Sequence, residues 1–231
     1  MRAIILAAGM GTRLRPLTYT TPKSLVKVMG QPMIERQIEF LHEKGINDII
    51  VLVGYMKEKF YYLQDKYNVK LIYNDKYNVY NNVYTMYLVR DYLEDSYVTE
   101  ADVYMVRNYF DPEVKESTYF SGIKKDFKSE WKLHFDNSGK IYEIEVGPGT
   151  DYIMSGISYW SKADGIVIKK KIEEIISGGD FEKVYWDDVV GQIIKDKLNV
   201  HIRKIGSDDW FEIDSVPDLK KAEEFLKNNK K

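Results

Sequence analysis

Short apolar runs alternate with amphipathic stretches of helical length over the first hundred residues, and this alternation restricts the chain to few folds. The apolar runs predict strands at 3–6, 48–54, 69–73 and 96–105. The stretches between them predict helices at 33–44, 56–67 and 82–93, the first of which is ended by Gly45. Strands that alternate with helices in this way are typical of βαβ units. We therefore predict an α/β fold whose mostly parallel sheet is flanked by helices.

The second half has a different pattern, because strands follow one another without helices from about residue 118. The predicted strands read TYFSGI, EWKLHF, KIYEIEV and DYIMSGISYW, with the turn DNSGK between the middle two. We expect them to form an antiparallel flap or a mixed edge of the sheet. Helices return at 162–177 and at about 187–197, and the strands VHIRKI and WFEI form a last pair before a terminal helix. S-x-x-D patterns at Ser161 and Ser215 predict capped helix starts.

Length and composition limit the setting. We expect one domain over 1–231, with a first part of about 1–117 and a second part of about 118–231. A net charge of −2 gives no reason to expect a nucleic acid or an anionic membrane as a partner. The absence of cysteine excludes disulfides and thiol nucleophiles. The N-terminal apolar run is short and lacks a cleavage site, so we expect a cytoplasmic protein without membrane insertion and with a frayed lysine-rich C-terminal tail.

The stretch LAAGMGTRLRPLTYTTPKSL at 6–25 combines two glycines with basic residues and contains no carboxylate, since the first acidic residue of the chain is Glu35. A strand that runs into a glycine-rich turn exposes backbone N–H groups, and Gly9 and Gly11 let phosphate oxygens approach them. A tight turn with solvated arginines is the simpler alternative. The spacing matches neither a Walker A loop nor a dinucleotide fingerprint. The remaining prediction is a nucleotide phosphate that is bound by another route.

The composite motif L-A-A-G-x-G-T-R-x-x-P-x-T, followed by P-K-x-L, resembles the signature of the nucleotidyltransferases that make sugar nucleotides and related activated diphosphates. The resemblance continues through VGY at 53–55, YNNVYTMYLV at 80–89, EAD at 100–102, SGISYW at 155–160, YWDD at 185–188 and EIDSVPDL at 212–219. It therefore covers nearly the whole chain. Within that superfamily the chain is most similar to the CTP:phosphocholine cytidylyltransferases of the bacterial choline-incorporation pathway.

This resemblance implies a Rossmann-like nucleotidyltransferase sheet, with the nucleotide on the first part of the chain and the acceptor on the second. The implied nucleotide-binding residues, with the base near the two asparagines, are Leu6, Ala7, Ala8, Gly9, Gly11, Thr12, Arg13, Gly54, Tyr55, Asn74, Tyr80 and Asn81. The implied catalytic residues are Arg13 on the triphosphate, Lys23 near the reacting phosphates, and Asp102 and Asp214 as ligands of Mg²⁺.

Glu100 departs from the family pattern, because a D-x-D-like element would carry an aspartate there. We expect Glu100 and Asp102 to share one face of a strand, so that both approach one cation. The extra methylene of glutamate disfavours direct coordination. We therefore expect Asp102 to be the ligand.

The implied reaction transfers a cytidylyl group from CTP to phosphocholine and yields CDP-choline and pyrophosphate. A phosphate oxygen of the acceptor attacks the α-phosphorus in line, and positioning with charge neutralisation supplies most of the catalysis. An ionised phosphate needs no general base. This fits the three histidines, His42, His134 and His201, which stand in no triad-like context.

The acceptor site follows from the aromatic residues, because all four tryptophans fall in the second part of the chain. A quaternary ammonium is held by aromatic faces and a nearby carboxylate. The resemblance assigns Trp131, Tyr185 and Asp187 to the choline head. The alternative is that these aromatics fill the core, while the aspartates of YWDD start the helix at about 187.

Three other functions stay open. The acceptor of CTP is 2-aminoethylphosphonate or phosphoethanolamine if a primary ammonium pairs with Asp187 or Asp188. Sugar-phosphate enzymes commonly carry an E-K-P element, whereas this chain reads EVGPGTDY without a lysine. A catalytically silent nucleotide-binding regulator is disfavoured by the presence of Lys23, Asp102 and Asp214. The sequence also leaves a homo-oligomer open.

Overall fold

Seven strands form the main sheet, and helices cover both of its faces. The computed structural model describes residues 1–229; Lys230 and Lys231, to which the prediction of a frayed tail extends, lie outside the described residues. The strands are β1 (Arg2–Ala7), β2 (Lys27–Val28), β3 (Gln31–Pro32), β4 (Ile49–Val53), β5 (Lys70–Tyr73), β6 (Ser96–Glu100), β7 (Val103–Met105), β8 (Ser117–Phe135), β9 (Ile141–Trp160), β10 (Val200–Lys204) and β11 (Trp210–Glu212). The α-helices are α1 (Met33–Glu43), α2 (Tyr62–Tyr67), α3 (Asn82–Val89), α4 (Lys162–Gly178), α5 (Trp186–Lys197) and α6 (Val216–Asn228).

The strand order in the main sheet is β10-β8-β9-β6-β1-β4-β5. The pairs β1–β4, β1–β6, β4–β5 and β8–β10 are parallel. The pairs β6–β9 and β8–β9 are antiparallel. The predicted α/β fold with a mostly parallel sheet is therefore confirmed, and a single hairpin introduces the antiparallel pairs.

The side chains of β1 alternate between two hydrophobic cores, because successive residues of a strand point to opposite faces of the sheet. Ala3 and Ile5 belong to the core that α1 and α2 cover. Ile4 belongs to the core that α3, α4 and α5 cover. The central strand is thus buried on both faces, which explains its continuous apolar run.

The predicted strand at 96–105 is wrong in one respect, since it breaks into β6 and β7. The chain turns at Ala101 and Asp102, where the Ala101 N–H donates to the Leu6 carbonyl at 3.1 Å and closes the β6 end of the sheet. β7 then pairs with β11 in a separate two-stranded sheet. Its partner β11 lies about a hundred residues away in sequence, so no local sequence pattern predicts the break between β6 and β7.

The four strands predicted after residue 118 are two long strands, β8 and β9. The charged stretch after Lys124 and the Gly-Pro stretch near Gly147 resemble loops in sequence, but the strands continue through them with shifts in register. The hairpin makes this side of the sheet mixed, as predicted, and β10 pairs with β8 on its outer side. For the same reason β10 and β11 are not partners of each other, which corrects the predicted last strand pair.

The predicted helices are present with altered ends. The helix expected at 56–67 begins with a 3₁₀ turn at Lys57–Phe60, and the one expected at 82–93 ends with a 3₁₀ turn at Arg90–Tyr92. Ser161 and Ser215 cap α4 and α6 as predicted, and Gly45 follows α1 with φ of 74°. Within residues 1–229, no helix combines the length and the apolar character that a membrane crossing requires.

Two glycines of α4 provide a test of this packing. A Cβ on Gly165 would lie 2.7 Å from the Leu93 carbonyl oxygen, whereas a Cβ on Gly178 would meet nothing within 4 Å. We expect Gly165→Ala to lower the free energy of unfolding by about 1–3 kcal/mol, because backbone must move. Gly178→Ala should change it by less than about 1 kcal/mol, in the stabilising direction. Urea denaturation measures both, and equal effects would contradict the close packing of α4.

Candidate active site

The loop after β1 is held from behind by the end of β4. The Tyr55 N–H donates to the Ala8 carbonyl at 3.1 Å, and the Tyr55 hydroxyl donates to the Thr18 carbonyl at 2.9 Å. A Cβ on Gly54 would lie 2.6 Å from the Ala8 oxygen, so only glycine allows this approach. Gly54 and Tyr55 therefore support the loop and do not line the cavity in front of it.

Gly11 makes the turn that brings the loop against Lys23. Its φ is +59°, in the left-handed region, and a Cβ there would lie 2.7 Å from the Cβ of Lys23. The Thr18 hydroxyl donates to the Gly11 carbonyl at 2.8 Å. Gly9 has no neighbour that a Cβ would meet within 4 Å, because it faces open space. The two glycines thus have different roles, one in packing and one in leaving space.

The loop forms one wall of a first cavity of about 350 Å³. The predicted nucleotide-binding and catalytic residues that line it are Leu6, Ala7, Ala8, Gly9, Gly11, Thr12, Arg13, Lys23, Tyr80, Asn81 and Asp102. Asn74 does not line it. Its side chain is fully buried, its Nδ2 donates to the Thr85 hydroxyl at 2.9 Å, and its Oδ1 accepts from the Lys76 N–H at 2.8 Å. Asn74 therefore supports the cavity wall from inside the protein.

Lys23 lies between two carboxylates that come from distant parts of the chain. Its Nζ donates to Asp102 Oδ2 at 2.6 Å and also to Asp214 Oδ1, and Arg13 Nη2 donates to Asp214 Oδ1 at 2.7 Å. Burial acts to lower the pKa of Lys23, but the two carboxylates outweigh it and hold this pKa above its ordinary value. Lys23 and Arg13 likewise hold the pKa of Asp214 below its ordinary value, against the effect of burial. Lys23 and Asp214 therefore keep their charges at neutral pH.

The two-stranded sheet brings the carboxylates together. Glu212 pairs with Val103 in the β11–β7 register, and the Ile213 N–H donates to the Asp102 carbonyl at 3.0 Å. As a result, one oxygen each of Asp102, Glu212 and Asp214 lie within 4.8 Å of one another. Burial, together with the negative charges of Asp102 and Asp214, raises the pKa of Glu212 to about 8. Such a group of oxygens suits a hard divalent cation.

An unpartnered atom supports the same assignment, because Asp102 Oδ1 is buried and, within the described chain, accepts no hydrogen bond. A buried carboxylate oxygen without a partner is costly unless a ligand supplies the contact. Glu100 is not part of this three-carboxylate group. It ends β6 while Asp102 lies in the following turn, so the two do not share a strand face as predicted. Burial, with the charges of Asp102 and Asp187, raises the pKa of Glu100 well above its ordinary value.

A second cavity of about 440 Å³ adjoins the first, and the three predicted acceptor residues line it together with Asp214. The rings of Trp131 and Tyr185 lie 6.2 Å apart between centroids and meet at 71°. Trp131 comes from the distal part of the β8–β9 hairpin, and Tyr185 is the N-cap residue of α5. The two rings thus form adjacent walls of one corner.

Asp187 and Asp188 have different roles at the start of α5. The Tyr185 N–H donates to Asp188 Oδ2 at 2.9 Å, so Asp188 caps the helix. Asp187 instead lines the second cavity with 9% of its surface exposed. Burial raises the pKa of Asp187 from 3.8 to about 7, and the negative charge of Asp188 adds to this effect. The alternative explanation, in which the aspartates of YWDD start the helix, therefore applies to Asp188. It does not account for Asp187, which lines the cavity.

Sequence reasoning missed residues that the structure brings to the site. Glu212 completes the carboxylate group, and the E-I-D spacing within EIDSVPDL was the signal that would have found it. Glu130 lines the second cavity. Asn82 lines both cavities, together with Arg13, Glu100 and Asp102. The YNN motif placed Asn82 beside predicted residues, but nothing in the sequence distinguished it from Asn81.

The fold and the two joined cavities define a class, the nucleotidyl transferases, whose family profile matches residues 2–114. The choline-phosphate cytidylyltransferase of Streptococcus pneumoniae is 48% identical over 228 residues, which cover 99% of each chain. A solved structure of the CTP:phosphocholine cytidylyltransferase from that organism matches with a TM-score of 0.95 and 48% identity, over 97% of this chain and 98% of the other.

Two further relatives span nearly the full length. The choline-phosphate cytidylyltransferase of Haemophilus influenzae is 38% identical over 232 residues, which cover 100% of this chain and 99% of the relative. The 2-aminoethylphosphonate cytidylyltransferase of Lancefieldella rimae is 38% identical over 221 residues, covering 94% and 89%. The chain belongs to the choline-phosphate cytidylyltransferase family of nucleotidyl transferases, and it is an enzyme of that class.

The raised pKa of Asp187 predicts a pH-dependent cost to stability. Between about pH 4 and pH 7 the folded chain keeps a proton on Asp187 that the unfolded chain releases, so rising pH favours unfolding. Relative to the Asp187→Asn variant, the wild-type protein should lose about 4 kcal/mol of unfolding free energy across this window, with no further change above pH 8.

Denaturant unfolding at a series of pH values measures this difference. The exposed Asp196 lies on the same helix, and Asp196→Asn should follow the wild-type curve. A pH-independent difference between wild type and Asp187→Asn would show that the carboxyl of Asp187 is not perturbed in the free enzyme.

Proposed function

We propose that the enzyme transfers the cytidylyl group of CTP to phosphocholine and produces CDP-choline and pyrophosphate. The names of two relatives, matched over nearly their whole length, support this assignment. The single observation that carries it is the corner of the second cavity, where two aromatic rings meet beside a buried carboxylate. The cytoplasmic location and the oligomeric state stay predictions.

The acceptor corner has the chemistry that a quaternary ammonium requires. Trimethylammonium donates no N–H hydrogen bond, so aromatic faces and longer-range attraction to a carboxylate must hold it. Trp131 and Tyr185 supply the faces, and Asp187 supplies the negative charge. The positive charge of the bound trimethylammonium also favours the ionised form of Asp187. This attraction offsets, in the complex, the stability cost of burying the Asp187 carboxylate.

The nucleotide fits the first cavity. We propose that the backbone N–H groups around Gly9 and Gly11 and the guanidinium of Arg13 bind the triphosphate, and that the base lies near Tyr80 and Asn81. Every residue that lines this cavity precedes residue 103, which supports a nucleotide-binding part of about 1–117 and an acceptor-binding part from about 118 within one domain. Lys23 lies where the two parts meet.

The reaction then needs only positioned charges. A phosphate oxygen of phosphocholine forms a bond to the α-phosphorus of CTP, and the bond from that phosphorus to the bridging oxygen breaks as pyrophosphate leaves with the electron pair. Lys23 and Arg13 offset the phosphate charge. No general base is required, and among the described residues no histidine lines either cavity.

A divalent cation completes the site. We propose that Asp102 and Asp214 hold Mg²⁺, with Glu212 as a third carboxylate beside them, because three carboxylate oxygens and an unpartnered Asp102 atom converge there. When bound, the cation supplies positive charge that draws electron density from the phosphate oxygens. Lys23 keeps the same carboxylates together in the absence of a cation.

A second candidate keeps CTP and replaces the acceptor with 2-aminoethylphosphonate or phosphoethanolamine. The relative from Lancefieldella rimae supports it, and so do the carboxylates of Glu130, Asp187 and Glu212 in the second cavity, which suit a primary ammonium. We rank it below phosphocholine because aromatic faces contribute little to a group that hydrogen-bonds to carboxylates.

The acceptor is tested with purified enzyme, CTP and four acceptors: phosphocholine, phosphoethanolamine, 2-aminoethylphosphonate and glucose 1-phosphate. We expect the highest kcat/KM for phosphocholine. Trp131→Ala should lower this value roughly 30-fold, since a desolvated cation–π contact contributes about 2 kcal/mol. Tyr142 lies on the same hairpin, is exposed and, among residues 1–229, stacks only on His134, so Tyr142→Ala is the matched control and should have no effect. Faster turnover of an amine acceptor would assign the second function.

The carboxylate cluster is tested by neutralising each member. Asp102→Asn and Asp214→Asn should lower turnover by at least about 100-fold and abolish Mn²⁺ binding measured by electron paramagnetic resonance, because each removes a charge that binds the cation. Asp208→Asn, an exposed residue before β11, should match wild type. Undiminished activity of the wild-type enzyme in excess EDTA would refute the metal site.

A further inference from the structure

The two cavities meet at four residues that line both of them: Arg13, Asn82, Glu100 and Asp102. If the nucleotide occupies one cavity and the acceptor the other, the transferred phosphoryl group lies at this junction. Three of the four residues carry ionisable groups. Asn82 is the neutral one, and neither the sequence motifs nor the relatives assign it a role.

The amide of Asn82 has a fixed orientation. Its Oδ1 accepts a hydrogen bond from the Trp186 N–H at 2.8 Å. Because a backbone N–H requires an acceptor, this contact identifies the oxygen of the amide and leaves Nδ2 on the other side. In the described part of the chain, Nδ2 has no hydrogen-bond partner, so both of its hydrogens remain available to a ligand in the cavity.

The cationic donors near the junction each take part in an ion pair. Arg13 donates to Asp214 at 2.7 Å, and Lys23 donates to Asp102 at 2.6 Å. Glu100 and Asp102 are carboxyl groups, which repel a phosphate when ionised. The Nδ2 of Asn82 is a neutral donor at the junction that takes part in no ion pair, so it can bind a phosphate oxygen without leaving a carboxylate.

The surrounding backbone holds this donor in place. Asn81 N–H donates to the Glu182 carbonyl at 2.8 Å, and Asn81 Nδ2 donates to the Lys183 carbonyl at 3.2 Å. Val83, the next residue of α3, is fully buried in the core. The start of α3 is thus fixed to the segment that leads into α5. A donor held before the substrate arrives does not have to reorganise during the reaction.

We propose that Asn82 is a catalytic residue whose Nδ2 donates a hydrogen bond to a non-bridging oxygen of the α-phosphate. This hydrogen bond strengthens in the transition state, when the acceptor oxygen bonds to phosphorus and pyrophosphate departs. The charge on the non-bridging oxygens changes most in that state. This inference rests on the proposed function only in requiring a nucleotide in the first cavity and a phosphate-bearing acceptor in the second.

Steady-state kinetics of Asn82→Ala and Asn82→Asp provide the first test. The Asp variant keeps an oxygen for the Trp186 N–H and loses the donor, so its fold and melting temperature should match wild type. We expect kcat to fall about 100-fold in both variants. In Asn82→Ala the KM values for CTP and acceptor should change less than about threefold, whereas the new carboxylate of Asn82→Asp should also raise the KM for CTP, because it repels the phosphates. If Asp restores wild-type kcat, or if only KM changes, Asn82 merely anchors α5 and the proposal is overturned.

The second test uses the two diastereomers of CTP that carry sulfur in place of one non-bridging α-phosphate oxygen. Wild-type enzyme should react more slowly with the diastereomer whose sulfur faces Asn82, because sulfur is a weak acceptor. In Asn82→Ala this difference between diastereomers should shrink at least about tenfold, since the two changes remove one interaction. An equal loss of rate with CTP and with both diastereomers would indicate a structural role and overturn the proposal.

The two tests also separate this inference from the proposed function. The proposed function is judged on wild-type enzyme with CTP and phosphocholine. The role of Asn82 is judged on variants with whichever acceptor the wild type uses. Normal wild-type turnover combined with normal Asn82 variants would therefore contradict the catalytic donor alone.

Discussion

The site depends on one set of ion pairs, in which Lys23 lies between Asp102 and Asp214. The aspartates are separated by more than a hundred residues, and two partly buried carboxylates repel each other unless a positive charge lies close by. Lys23 supplies that charge in the free enzyme, and its backbone position follows from the close approach of Gly11. The turn of the loop, the lysine and the carboxylates are therefore one unit. A side chain at position 11 would meet the Cβ of Lys23 and displace the charge that keeps the carboxylates together.

The sequence predicted those elements that depend on interactions between residues close together in the chain. The strands β1, β4 and β5 and the capped starts of α4 and α6 follow from apolar runs and S-x-x-D boxes, and each was predicted close to its observed place. The break after Glu100 was not, because β7 departs from the main sheet to meet a partner at β11 that no local signal reveals. The continuous hairpin was missed because charged and Gly-Pro stretches within it look like loops. Glu212 was missed although the E-I-D spacing places it two residues before Asp214, because only the pairing of β11 with β7 brings its carboxylate beside Asp102.

The start of α5 serves both cavities. Tyr185 and Asp187 line the second cavity, while the Trp186 N–H between them donates to the Asn82 side chain of α3, which lines both cavities. Asp188 caps the start of the helix by accepting from the Tyr185 N–H, so Asp187 is not needed as the cap. Within YWDD, Asp188 thus caps the helix as the structural alternative predicted, while Tyr185 and Asp187 line the second cavity, where their role in binding the acceptor stays a prediction.

The great length of the β8–β9 hairpin separates two kinds of evolutionary constraint. At its base, β8 and β9 lie between β10 and β6, and substitutions there must satisfy a core on both faces of the sheet. Beyond the base, the strands pair mainly with each other, and residues such as Tyr142 and Val146 are exposed. Trp131 lies in this outer portion. A substitution at Trp131 therefore changes one wall of the second cavity at a position that belongs to neither hydrophobic core and lies apart from the loop after β1.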